Sequence, residues 1–154
     1  MVKWSHSSLK DFEGCARRYY EVKVLKTIPF TDTQATLYGK ELHTAAEMYV
    51  KHGTALPEQF LFIEPVLVVL LAKNGRKLPE HQMALTQDLA PCKWDAKDVW
   101  VRGIADLLIV DDDDLTAWVA DYKTGNNKYP DLDQLKLMSL LVFEHFPHIR
   151  KVNS

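Results

Sequence analysis

The sequence has little of what usually announces a function. Its 154 residues hold two cysteines, Cys15 and Cys92, too few for a disulfide framework or a self-contained zinc site. The longest apolar run, Pro65 to Ala72, is far short of the roughly 20 residues that span a bilayer. No apolar core follows the opening Met1–His6, so no signal peptide is expected. A formal net charge of −2 removes any global positive field, so a nucleic-acid surface would have to be a local patch. There is no Gly-rich phosphate loop, no Gly-x-Ser-x-Gly elbow, no internal repeat and no low-complexity linker. What remains is an ordinary globular composition, 47% hydrophobic and 26% charged, which predicts one compact domain over 1–154 in a reducing, cytoplasmic environment.

The informative stretch runs from Gly103 to Gly125. It reads as two strands, Val99 to Val110 and Thr116 to Lys123, joined by the acidic run Asp111 to Asp114. Asp106 interrupts a mostly apolar row on the first strand, and alternation puts Asp121 and Lys123 on one side of the second, with Tyr122 on the other. Carboxylates and an ammonium converging beside a core either face solvent or form a site for a divalent cation. The four hairpin aspartates repel one another and are expected to be solvated turn residues.

The other elements follow from periodicity. Ser8-Leu9-Lys10-Asp11 fits a capping box, with Leu9, Phe12, Ala16 and Tyr19 or Tyr20 as a buried stripe behind it. A helix over Thr36 to His52 presents Tyr38, Leu42, Ala45 and Tyr49 inward, with His43 beside that stripe and Gly39 one turn earlier. A third helix starts at Pro57, is kinked or broken at Pro65 and stops at Lys73-Asn74-Gly75. Glu80 to Asp88 alternates as a strand, and Pro91 to Lys97 as a turn. The last helix starts near Pro130, packs Leu135, Met138 and Val142 inward and ends at Pro147, before a short strand over His148 to Asn153. A helical part (8–75) thus precedes a sheet core (79–154). The order predicts an α/β fold, a mixed sheet with an antiparallel meander flanked by helices.

Several of these pieces, in this order, resemble the RecB-type nucleases of the PD-(D/E)xK superfamily, which include phage exonucleases and the nucleases of CRISPR spacer acquisition. Ser5 to Leu9 with Cys15 to Tyr20 is similar to the family's N-terminal helix, and Gly39 with His43 to its helical histidine motif. Glu80 resembles the acid of the first core strand, Gly103-Ile104-Ala105-Asp106 the second-strand aspartate, and Asp121-Tyr122-Lys123-Thr124-Gly125 the D-x-K strand. Gln134 to Met138 resembles the glutamine motif, although relatives often carry Tyr where Met138 stands.

The resemblance implies a restriction-endonuclease-like fold and a metal-dependent DNA nuclease, an exonuclease or an enzyme of single strands and ends. The alternative is a DNA- or protein-binding module on the same fold that has lost catalysis. His43, Asp106, Asp121 and the Tyr122 backbone carbonyl would hold Mg²⁺ or Mn²⁺, with Glu80 a further candidate. Asp106, Asp121, Lys123 and Gln134 would form the catalytic set, and Arg17, Arg18 and Tyr20 would grip DNA. No iron–sulfur cluster is expected, because Cys15 lacks three C-terminal partner cysteines. A sheet short of later strands suggests a minimal, phage-encoded form acting in the host cytoplasm, or self-association through the Ile149–Lys151 edge.

Overall fold

A computed structural model describes residues 2–29, 31–123 and 131–154. The expectations placed on Thr124-Gly125, on Asn126-Asn127 and on a helix start at Pro130 lie outside the described residues. The chain opens with α1 (His6–Gly14) and α2 (Ala16–Tyr19), followed by one π-helical stretch (Tyr20–Val24). The cap of α1 is Ser5, three residues before the expected position: Ser8 N–H donates to Ser5 Oγ, and Ser5 N–H donates back to Ser8 Oγ. Ser8 is therefore the answering member of the capping box, since a hydroxyl can accept where a carboxylate usually does. Extended backbone at Cys15 breaks the helix, so the expected stripe is lost. Tyr19 is buried, while Leu9 and Phe12 stay exposed. The three aromatic rings of Trp4, Phe12 and Tyr19 close on one another at centroid spacings of 5.7 Å.

Helix α3 (Gln34–His52) buries Leu42 and Ala46 and ends at Gly53 in the left-handed region. Pro65 separates a 3-10 stretch (Glu58–Ile63) from α4 (Glu64–Leu71), sitting in the first turn of α4, where its missing N–H is harmless. Leu42, Ala46, Leu56, Phe60, Ile63 and Leu67 form one buried cluster.

The sheet has the order β2-β1-β3-β4-β5, with β1 (Arg76–Leu85), β2 (Pro91–Cys92), β3 (Val101–Asp111), β4 (Thr116–Ala120) and β5 (Lys151–Asn153). The β1, β3 and β4 pairings are antiparallel, and β5 joins β4 in parallel after α5 (Leu132–His145). Strand β1 begins four residues before Glu80 because Gly75, at φ +103°, turns the chain out of α4 directly into the ladder. A Cβ there would lie 2.4 Å from the Val110 carbonyl oxygen, so only glycine fits. Helix α5 lays Met138, Leu141 and Val142 on Met83, Leu85, Leu108, Val110 and Val119. Gly103 admits that helix, since a Cβ would meet Leu141 and Met138 at 2.8 Å.

The acidic hairpin is more ordered than its charge suggests. Asp111 is buried and its Oδ1 accepts the backbone N–H groups of Asp113 and Asp114, each at 3.1 Å. Asp112 pairs with Arg76 and His148, whose hydrogen bonds hold its carboxyl below the usual range. The run is a turn, and one of its carboxylates builds it.

Candidate active site

The ladder between β1 and β3 keeps its register across Pro79↔Leu107 and His81↔Ala105, which sets Glu80 opposite Asp106. Around these two residues the side-chain alternation loses step. On β3 the members of the core around α5 are Val101 and Ala105, then Leu108 and Val110. Glu80 has φ +49°, a conformation that a residue with a Cβ adopts only under constraint. The irregularity re-aims two carboxylates from adjacent strands toward α3 and so builds the site.

His43 meets them there. Its Nδ1 lies 3.2 Å from Asp106 Oδ1 and 3.4 Å from Glu80 Oε1. Asp106 is 8% exposed, and its other oxygen accepts the Tyr122 backbone N–H at 2.5 Å. That hydrogen bond explains a difference from the expected topology. Strand β4 ends at Ala120 instead of Lys123, because a carboxylate takes the amide that a longer ladder would have used. Ion pairing, first with Asp106 and then with Glu80, raises the His43 pKa to about 10 against the opposing effect of burial. Burial in turn pushes the Asp106 carboxyl up, despite the downward pull of His43 and the Tyr122 amide.

The donor atoms of His43, Glu80 and Asp106 lie within 4.8 Å of one another. Glu80 Oε1 is buried and has no hydrogen bond among the described residues; the imidazole is a neighbour at ion-pair distance only. Two carboxylates and an imidazole with one unsatisfied buried oxygen fit a hard divalent cation, for which the protonated imidazole substitutes as counter-charge. Tyr122 closes the site from the side, its ring 6.0 Å from His43 and its hydroxyl buried without a partner.

Beside this cluster stands a second one. Gln134 Nε2 donates to Asp121 Oδ1 at 3.1 Å, Lys123 Nζ donates to Gln134 Oε1 at 3.1 Å, and Lys123 Nζ lies 2.7 Å from Asp121 Oδ2. The amide thus holds the lysine and the aspartate at once. Asp106, Asp121, Lys123 and Gln134 line one open cavity of about 1000 Å³, so Asp106 brings the first cluster to the same cavity as the second.

The sequence-derived residues therefore fall into two groups. His43, Glu80 and Asp106 come together, with Glu80 more central than its sequence position suggested, and Asp121 stands with Lys123 and Gln134. Arg17, Arg18 and Tyr20 lie outside the cavity; Arg18 lines a smaller neighbouring hollow with Lys10 and Lys23. The cavity also holds residues that sequence reading did not assign. Asp131 caps α5 by accepting the Gln134 N–H and pairs with Lys10 and with His6, at 3.3 Å, so α1 is tied to the start of α5. The Lys10 hydrogen bond is the chief reason its carboxyl falls to about 2. The available signal is an Asp three residues before Gln134, which suits a helix N-cap.

A mixed sheet with an antiparallel meander, flanked by helices and carrying carboxylates where the strands lose step, defines a restriction-endonuclease-like α/β enzyme. The chain belongs to the PD-(D/E)XK nuclease superfamily, whose family model matches residues 3–145. It is accordingly a nuclease, a hydrolase with a candidate His/carboxylate metal site. No curated protein and no solved structure matches the chain significantly. Among the described residues, no helix is long and apolar enough to cross a membrane.

Proposed function

We propose that this protein is a divalent-metal-dependent deoxyribonuclease acting on DNA ends or single strands, and that residues 1–154 form one catalytic unit working in the cytoplasm. The observation that carries the reading is the part-buried His43–Glu80–Asp106 cluster, with an unsatisfied carboxylate oxygen, beside the Asp121–Lys123–Gln134 triangle. His43, Asp106 and Glu80 would hold Mg²⁺ or Mn²⁺ together with Asp121 and the Tyr122 carbonyl, the imidazole favouring Mn²⁺. When bound, such an ion polarises the phosphodiester and lowers the pKa of its water.

The chain's own residues supply the remainder. Lys123 carries its ammonium at the mouth of the cavity, where it orients the attacking water or offsets charge developing on the phosphate. Gln134 fixes that ammonium, since its amide spans Lys123 and Asp121. Arg17, Arg18 and Tyr20 remain candidates for DNA farther from the cut. If copies associate, β5 is the edge to use from Lys151 onward, because Ile149 is already buried within the chain.

The test is incubation with end-labelled single- and double-stranded DNA in Mn²⁺, Mg²⁺ or EDTA, with Asp121→Ala and Lys123→Ala alongside. Cleavage that needs metal and disappears in both variants is expected. Cleavage that survives both overturns the site assignment, and metal binding without any cleavage favours a binding module.

A further inference from the structure

The nuclease cavity contains a cation that its own carboxylates leave alone. Lys10 pairs with Asp131 and Lys123 with Asp121. Arg102, which lines the same cavity, has no carboxylate partner among the described residues. Its guanidinium instead lies over the ring of Trp94, 4.5 Å from the centroid. Trp94 also lines the cavity and comes from the loop between β2 and β3. An indole face fixes the plane of a guanidinium without consuming its N–H donors, so the edge of the fork is left for an anion. Arg102 is on β3 itself, four residues before Asp106, which is about 13 Å along the strand. On the edge of β3 away from β1, Trp4 bridges at Val101 and the β4 ladder begins at Leu107, and Gly103 and Ile104 between them line the cavity.

We propose that Arg102, packed over Trp94, is a substrate-binding residue that holds a phosphodiester flanking the scissile one, so that the substrate strand runs from Asp106 along the N-terminal half of β3. The proposal rests on the nuclease reading and adds the path of the substrate to it. A planar fork with free edge donors matches phosphate geometry, and placing it away from the carboxylates avoids the ion pair that would quench it.

The salt dependence of binding separates this role from a structural one. Affinity of a labelled 20-nucleotide single strand would be measured in EDTA across a range of salt concentrations, for the wild type, Arg102→Ala, Arg102→Lys and Trp94→Ala. Each phosphate neutralised contributes about 0.7 to the slope of log K against log salt for a single strand. Arg102→Ala is expected to lower that slope by about 0.7 and to weaken binding roughly tenfold at low salt. Arg102→Lys should keep the slope, and Trp94→Ala should weaken binding with the slope retained. In turnover, Arg102→Ala should raise KM and leave kcat near the wild-type value, as loss of uniform binding does.

An Arg102→Ala protein with wild-type circular dichroism and an unchanged slope overturns the proposal even if DNA is cleaved. A slope that falls as expected while the wild type cleaves nothing supports the phosphate contact and overturns the nuclease reading alone. A wild-type protein that binds no oligonucleotide overturns the contact.

Discussion

Mn²⁺ affinity at the His43–Glu80–Asp106 cluster is expected to climb with pH, because the ion must displace a proton. Pairing of the imidazolium with the Asp106 carboxylate first and the Glu80 carboxylate second holds the His43 pKa at about 10, against an ordinary value of 6.5. At pH 7 only about one molecule in a thousand then has a neutral imidazole ready to ligate, and each added pH unit raises that fraction tenfold. The apparent dissociation constant should therefore fall about tenfold per pH unit between pH 6.5 and 8.5. Calorimetric titration in buffers of different ionisation enthalpy would count the protons directly, and one released per ion is expected. His43→Gln, which has no such proton to lose, should bind more weakly and lose the pH dependence. An affinity that stays flat over this range, with no proton released by the wild type, would refute the reasoning.

The sign for stability of the metal-free chain is opposite. A folded-state pKa raised above the unfolded one contributes stability that is complete below about pH 6.5 and is lost as pH rises through about 10. His43 is one-third exposed, so water screens much of the pairing, and the loss should be a drop of a few degrees (~3 °C) in Tm. Thermal melts in EDTA at pH 7 and pH 10 would measure it.

Two further expectations separate the fold from the site. Tyr122→Phe removes a buried hydroxyl without a partner, so it should stabilise the protein by about 1 kcal/mol while Mn²⁺ affinity stays the same; destabilisation in urea melts would mean that the hydroxyl is satisfied in solution. Gly75→Ala drives a Cβ against the Val110 carbonyl at a positive φ and should cost at least about 2 kcal/mol, or roughly 5 °C in Tm. If that variant melts like the wild type, the tight exit from α4 into β1 is wrong.

Much of the candidate site was legible because its residues obey local rules. His43 lies in a well-capped, strongly periodic helix, Asp106 breaks an apolar row, and Asp121 and Lys123 directly follow an alternating strand. Such signals survive in one dimension. Errors arose where two local solutions were equally good. Ser5 and Ser8 can each cap a helix, and only Trp4 bridging to β3 fixes which one does. The stripe through Leu9 and Phe12 required a continuous helix, which extended backbone at Cys15 prevents.

Sequence by itself determined the order of the larger elements, the mixed sheet and the residue types of the candidate site, since periodicity, capping and residue polarity are properties of short segments, but not the two-residue strand β2, which falls in the expected turn. Tertiary structure alone decided how those residues are shared out. Glu80 became central because the β1–β3 register places it opposite Asp106 and a positive φ turns it toward His43. Tyr122 left the sheet because a carboxylate 16 residues away took its amide. Among the described residues Arg102 has no acidic partner, because the hydrogen bonds and pairs of Asp121 and Asp131 go elsewhere. Each of these depends on a distance between residues far apart in the chain, and no local pattern encodes such a distance.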